Sequence, residues 1–280
     1  MSDPVEDGKA AIVTEIVRAA ASDPVVKEAG SQLARAGLTL AKTVNTVLLP
    51  LAAVNYTIEK AREYFAERFQ ADIAEAAKSI PPDSIVEPKA SIAGPALQGL
   101  AFSHEEPELR QMYAKLLATA MDGRSPTLAH PAFVEVIKQI TAEEARLLAA
   151  ILPVHSIPVV SVVAIEKANR RAFIQRSRHI IDLRADQGKG EPVVISNVEA
   201  MMNNFIRLGL IEADYDRQIA ATNACEWAES RPEVRRERES TLPATHEIDI
   251  VRGIVFTTAF GAQFARAIGI GATGATAAAT

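Results

Sequence analysis

The chain has 280 residues, 48% of them apolar and 5% aromatic, and a formal net charge of −5. That length suits one large domain or two small ones around a packed core. The acidic balance excludes a surface that grips nucleic acid throughout, though not a local basic patch. The single cysteine, Cys225, excludes an intrachain disulfide and an all-cysteine metal site.

The first residues, MSDPVEDGKA, place no basic group ahead of an apolar core, so no secretory signal is expected. Ala10, Val13, Ile16, Val17 and Ala20 recur at the spacing of an amphipathic helix, and a second helical stretch follows over 25–35. The most apolar window, 36–54, is interrupted by Lys42, Asn45 and Pro50. Its unbroken run is too short to span a bilayer of about 30 Å. A buried helix explains this window, and contact with a membrane surface is the alternative. The pattern from Leu51 to Ser79 is helical, with Ile58, Phe65, Phe69, Ile73 and Ala76 toward a core. Glu59, Lys60, Glu63, Glu67 and Arg68 then form a solvated face.

Pro81-Pro82 ends that helix, and "EPKASIAGPALQGLAF" (87–102) follows. Glu87-Pro88 and Gly94-Pro95 predict two breaks in helical geometry. Ile92, Leu97, Leu100 and Phe102 supply contacts for a short helix, so the stretch reads as a joint. Ser103-His104-Glu105-Glu106 has the pattern of a capping box. It opens the stripe Leu109, Met112, Tyr113, Leu116, Leu117 and Ala120, which Asp122-Gly123 closes with a left-handed cap. His130-Pro131 starts a helix bearing Phe133, Val136, Ile137 and Ile140. Thr141-Ala142-Glu143-Glu144 is a second capping box, ahead of Ala145, Leu148, Ile151 and Leu152.

Beyond Pro153 the character changes. "SIPVVSVVAI" predicts a strand, with Pro158 placing it at a sheet edge. "NRRAFIQRSRHIIDLRADQGKG" is basic in its first half and turn-like at its end, where "GKG" (188–190) is a turn. "ISNVEAMMNNFIRLGLIEADYD" predicts a helix capped by Ser196, stopped by Gly209 and followed by a strand. After the charged connection "AESRPEVRRERES", a solvated helix or loop, come a strand in "EIDIVRGIVFTT" and a helix in "AFGAQFARAI". Helix, strand, long connection and strand is a winged-helix order.

The expected fold is therefore mainly α, α+β overall. A helical extension (1–44) precedes a helical core (45–153), a winged-helix-like module (154–268) and a low-complexity tail (269–280).

"SIPPDSIVEPKASIAGPALQGLAF", "ELRQMYAKLLATAMD" and "HPAFVEVIKQITAEEARLL" resemble the core block of the Abi-alpha (abortive infection alpha) family. "FIRLGLIEADYD" and "FTTAFGAQFARA" resemble its C-terminal continuation, so the resemblance covers about 45–270. It implies bacterial defence against phage, in which an infected cell stops supporting replication. It carries no catalytic residues to this chain.

No phosphate-cradling GxxxxGK[ST], no GxGxxG and no GxSxG is present. The five histidines have no metal-ligand spacing, so no metal or cofactor is expected. Arg124 and His130, with five residues between them, resemble the Arg/His motif of helical HEPN-type nucleases. There such groups stabilise charge and move a proton at a phosphate. For nucleic-acid binding, Asn203, Asn204 and Arg207 lie on the groove-reading helix of a winged helix. Arg170, Arg171, Arg176 and Arg178 are its phosphate contacts, and Glu199 on the same helix opposes the reading. We therefore expect a cytoplasmic, non-enzymatic effector that works through a protein partner or homo-oligomer. Nucleic-acid binding, membrane-surface action and a HEPN-like ribonuclease are the alternatives, and no small-molecule substrate is evident.

Overall fold

The computed structural model describes residues 55–183, 194–221 and 223–271. The helices expected before residue 55, the apolar window 36–54, the "GKG" turn and the tail beyond 271 lie outside the described residues. Nine α-helices and a four-stranded antiparallel sheet make the described chain α+β. It divides into two compact units, one holding residues up to Arg146 together with those from Gln263, the other Leu147–Ala262.

The first unit begins with α1 (Asn55–Glu67) and α2 (Phe69–Ala77), separated only at Arg68. The Arg68 N–H still donates to the Tyr64 carbonyl at 2.9 Å, so the hydrogen-bond ladder hardly breaks. A 3-10 turn (Pro82–Ser84) leads to α3 (Ala90–Ser103), α4 (Pro107–Ala120), α5 (Pro131–Ile137) and the start of α6 (Ala142–Ile151). Phe65, Phe69, Leu97, Leu100, Leu116, Leu117 and Phe133 are buried in its core. Phe264, in α9 (Ala259–Ala267), packs edge-on to Phe133 with ring centroids 5.6 Å apart.

Four expectations for this unit are corrected. Gly94-Pro95 does not break α3, which runs through both residues, because Ile92, Ala93, Ala96 and Leu97 are buried on either side. A proline's fixed φ suits a helix, and only one ladder bond is lost. Phe102 is not buried in the core: it is 56% exposed. Ser103 caps no helix; it is the last residue of α3 and its hydroxyl donates back to the Gly99 carbonyl at 2.7 Å. Gly123 is not left-handed. Its N–H donates to the Ser84 carbonyl at 2.8 Å, and a Cβ there would meet Val86 Cγ1 at 2.9 Å, so glycine permits a close approach of two chains. The second capping box forms as read: the Thr141 N–H donates to Glu144 Oε2 at 2.8 Å and the Glu144 N–H to Thr141 Oγ1 at 3.2 Å.

In the second unit, β1 (Ser156–Glu166), β2 (Phe173–Ile181), β3 (Ile211–Asp214) and β4 (His246–Thr257) pair in the order β2-β1-β4-β3. β1 is central, not an edge. Pro158 is tolerated because pairing with β2 starts only at Val159, so the missing N–H falls outside that ladder. Val160, Val162 and Ile180 pack with Trp227, Ala228 and Val234 from a 3-10 turn (Glu226–Ser230) and α8 (Pro232–Glu239). The charged connection is thus helical and buries Val234 and Arg231 rather than being wholly solvated. α7 (Val198–Arg207) is preceded by Asn197 with φ 58°, which takes the N-cap place expected of Ser196. Gly209, with φ 72°, stops α7 as expected, its N–H donating to Ile206.

Candidate functional site

Most of the arginines singled out in the sequence lie on or beside β2, a strand unrecognised in the sequence. Two β-bulges explain its shape. Val160 faces Ile180 and Val162 faces Ser177, so Arg178 and His179 together oppose Ser161. Val162 faces Ser177 while Val163 faces Gln175, so Arg176 is a second extra residue. Bulges re-aim side chains and free backbone groups from the ladder. Here each freed group that is accounted for has a side-chain partner, as buried backbone requires. The Gln175 amide donates to the Val162 and Ser177 carbonyls at 3.0 and 2.9 Å. Glu199 of α7 accepts the Arg178 backbone N–H at 3.0 Å, and the Tyr215 hydroxyl accepts that of His179 at 3.2 Å. Glu199, which counted against a groove-reading helix, thus helps build the strand.

His179 is the centre of this arrangement. It is 2% exposed and has φ 56°, a left-handed conformation that a bulge can impose. The Tyr215 hydroxyl lies 3.1 Å from its Nδ1. The imidazole tautomer sets which of the two donates, since a hydroxyl that accepts one N–H can still accept a second or donate. The Asn203 side chain bonds the same imidazole. Burial first, and then the Arg178 charge, push the His179 pKa down and keep it neutral at pH 7. Burial likewise raises the Tyr215 pKa. Tyr215 follows β3, yet its hydroxyl reaches β2. Gly253 of β4 makes this feasible: a Cβ there would sit 2.6 Å from the Asp214 carbonyl and 2.7 Å from the Tyr215 ring. The cluster ties β2, α7 and the β3 end together.

Of the sequence candidates, the structure therefore brings Arg178 and Asn203 to one place, the Arg178 guanidinium 5.6 Å from the Tyr215 ring centre. The others are dispersed. Arg170 pairs with Glu247 at 2.8 Å and Asp249 at 3.2 Å, and Arg176 with Glu237 at 2.8 Å. Arg207 donates to Asn204 Oδ1 at 2.7 Å. Arg171 is exposed at the hairpin tip, next to Phe173 (60% exposed) and Ile174 (54% exposed). These are successive residues on an edge strand of the sheet, so apolar side chains are in water on both of its faces.

In the first unit, Arg124 is held in a fork by its neighbour Asp122, at 2.8 Å through Nε and 2.7 Å through Nη2. That pairing depresses the Asp122 pKa and raises that of Arg124. His130 Nδ1 accepts the Ala132 N–H at 3.1 Å, which makes the imidazole a helix cap. Both groups thus have partners two residues away in the chain.

A cavity of about 400 Å³ was not anticipated. Lys60, Glu63, Glu67 and Arg68, read as a plain solvated face, line it with His104 and Arg110. His104 is 7% exposed and lies 5.3 Å from Tyr64, ring over ring. Its Nδ1 donates to the Ala101 carbonyl at 3.0 Å, and Asp72 accepts from Tyr64 Oη at 2.8 Å and pairs with Arg110 at 3.3 Å. Three cations against three carboxylates of Glu63, Glu67 and Glu105 leave the lining charge-balanced. No local pattern flags the pocket, because His104 and Arg110 come from another helix pair. Among the described residues no group of three or more His, Cys, Asp or Glu is placed to hold a metal ion. No described helix is long and apolar enough to cross a membrane.

Comparison with known proteins gives one positive result. The sequence model described as abortive infection alpha matches residues 61–268, which spans both units. Neither the curated proteins nor the solved structures contain a match. The chain belongs to the abortive infection alpha family.

Proposed function

We propose that this member of the abortive infection alpha family is a bacterial anti-phage protein that acts by binding, through the exposed end of the β1–β2 hairpin. The observation that carries the binding mode is the pair Phe173 and Ile174, both more than half in water on an edge strand. Large apolar side chains exposed together mark interaction surfaces. Arg171 beside them adds a positive rim, so the partner is a protein surface that offers apolar groups flanked by carboxylates. The local pairing of Arg124 and His130 supports binding over ribonuclease chemistry.

The test is a phage challenge of cells carrying the gene, with Phe173→Ser and Ile174→Ser introduced together. Protection should fall to the level of cells without the gene, while the purified variant keeps its denaturation midpoint. Protection at the level of the unsubstituted protein would overturn the proposed surface.

A second reading is nucleic-acid binding by a winged-helix-like module. What supports it is the order α7, β3 and then antiparallel β4, and the placing of Arg178 with Asn203. Carboxylates on Arg170 and Arg176 weigh against it, since a phosphate would have to displace them. Binding that weakens steeply with salt would favour this reading over the first.

A further inference from the structure

β2 is an edge strand, and the hydrogen-bond pattern of the sheet fixes which of its backbone groups are free. The Glu166 N–H donates to the Ala172 carbonyl at 3.0 Å and so points toward β2. The Lys167 N–H donates to the Thr245 carbonyl at 2.8 Å, on the β4 side. Successive residues of a strand point these groups in opposite directions. Ala164 therefore bonds across to Ile174, its partner in register, while Ile165 and Val163 turn to β4. Their partners on β2, Phe173 and Gln175, then turn away from the sheet. Each presents an N–H and a C=O outward, and no strand among the described residues pairs with them. Such an edge is a template for another chain. Farther along β2 the template is closed, because Glu199 takes the Arg178 N–H and the Tyr215 hydroxyl takes that of His179.

We propose that the partner of the hairpin binds by adding a strand to β2, its backbone bonded to Phe173 and Gln175. The proposal rests on the hairpin surface described above and gives the form of the partner. That partner is an extended segment of another protein, apolar where it passes Phe173 and Ile174 and acidic where it reaches Arg171. Side-chain direction argues for the strand. Phe173 and Ile174 are successive strand residues, so they point to opposite faces of the sheet, and both are more than half exposed. A helix or a flat surface covers one face, whereas an added strand sets successive side chains beside both. Charge argues for the acid. Arg170 and Arg176 are paired with carboxylates, but Arg171 has no ion pair among the described residues. A second copy of this chain fails on the same ground. Two β2 strands paired with Phe173 opposite Gln175 would bring Arg171 opposite Ser177 of the second copy, between its Arg176 and Arg178. Like charges set opposite one another on adjacent strands are destabilising.

Amide hydrogen exchange in the full chain, read residue by residue by NMR, tests the proposal with a synthetic peptide, acetyl-Thr-Ile-Val-Thr-Glu-Glu-amide. Laid antiparallel to β2, it sets its valine opposite Phe173, its isoleucine opposite Ile174 and its first glutamate opposite Arg171. At millimolar peptide, exchange at the Phe173 and Gln175 amides should slow severalfold. The Ile174 amide, already bonded to β1, should not change. Methylating the valine nitrogen removes the bond to the Phe173 carbonyl and should abolish the slowing. Lysines in place of the two glutamates should weaken binding severalfold. No slowing at Phe173 and Gln175, equal slowing at Ile174, or undiminished binding of the methylated peptide would each overturn strand addition. Equal binding of the lysine peptide would overturn the acidic partner. The phage challenge separates this result from the hairpin reading itself. Protection lost in Phe173→Ser with Ile174→Ser, but no slowing by the peptide, keeps the surface and removes the added strand. Slowing by the peptide, with protection intact in that double variant, keeps the strand and removes the surface from defence.

Discussion

The α3–α4 junction reads Ser-His-Glu-Glu-Pro and the α5–α6 junction reads Thr-Ala-Glu-Glu-Ala. Both carry the spacing of a capping box, and only the second forms one. The difference lies in the fifth residue. Pro107 restricts the residue before it, and Glu106 takes φ −96° and ψ 104°, outside the helical region. A capping box needs its glutamate at the third helical position, so Glu106 cannot serve. The helix starts at Pro107 instead, where proline's fixed φ suits the first position. Ser103, released from capping, prolongs α3 and bonds the Gly99 carbonyl. A four-residue motif is therefore legible only together with the residue that follows it.

Installing the difference in the working box should have the largest effect. Ala145→Pro places proline after Glu144 and removes the Ala145 N–H bond to the Thr141 carbonyl, 2.9 Å long. Loss of that bond, with the ring clash, should cost about 3 kcal/mol or more. Urea denaturation reads the loss; a change below about 1 kcal/mol would mean that the proline is not what separates the two junctions. Thr141→Ala comes next. It deletes the hydroxyl that caps the Glu144 N–H and should cost about 1 kcal/mol. The Thr141 N–H keeps its bond to Glu144, so the carboxylate half of the box survives, and hydrogen exchange should quicken most at Glu144.

The same dependence on distant residues explains what the sequence conceals elsewhere. The stripes of α4 and α5, the second capping box, the Gly209 stop and strands β1 and β4 follow local rules and are plain in the sequence. β2 is not. Its bulges at Arg176 and Arg178-His179 interrupt the two-residue period, so "FIQRSRHII" shows adjacent apolar pairs at both ends and no alternation. Asp122-Gly123 has the letters of a helix stop, but the glycine is there for Ser84 and Val86, about forty residues earlier in the chain. Candidate sites fare the same way. Arg178 and Asn203 meet only because Tyr215 crosses the sheet over Gly253, and the charged face of α1 becomes a pocket wall only when His104 and Arg110 arrive.

The smallest effect sharpens the comparison most. Were Ser103 a helix cap, Ser103→Ala would cost as much as Thr141→Ala. Its hydroxyl instead donates to a carbonyl one turn back in the same helix, a bond that slightly disfavours helix rather than supporting it. Alanine also has the higher helix propensity. The Gly99 carbonyl keeps its own ladder acceptor role when the hydroxyl is gone. In a Tyr113→Phe background, which removes the buried hydroxyl that the Ser103 side chain also bonds, Ser103→Ala should therefore change stability by less than about 0.5 kcal/mol, in either direction. Measured beside Thr141→Ala under identical urea titration, equal losses would show that Ser103 caps α4 after all. A near-zero change at 103 and a clear loss at 141 would trace the divergence to Pro107, which stands where the second pentapeptide has Ala145.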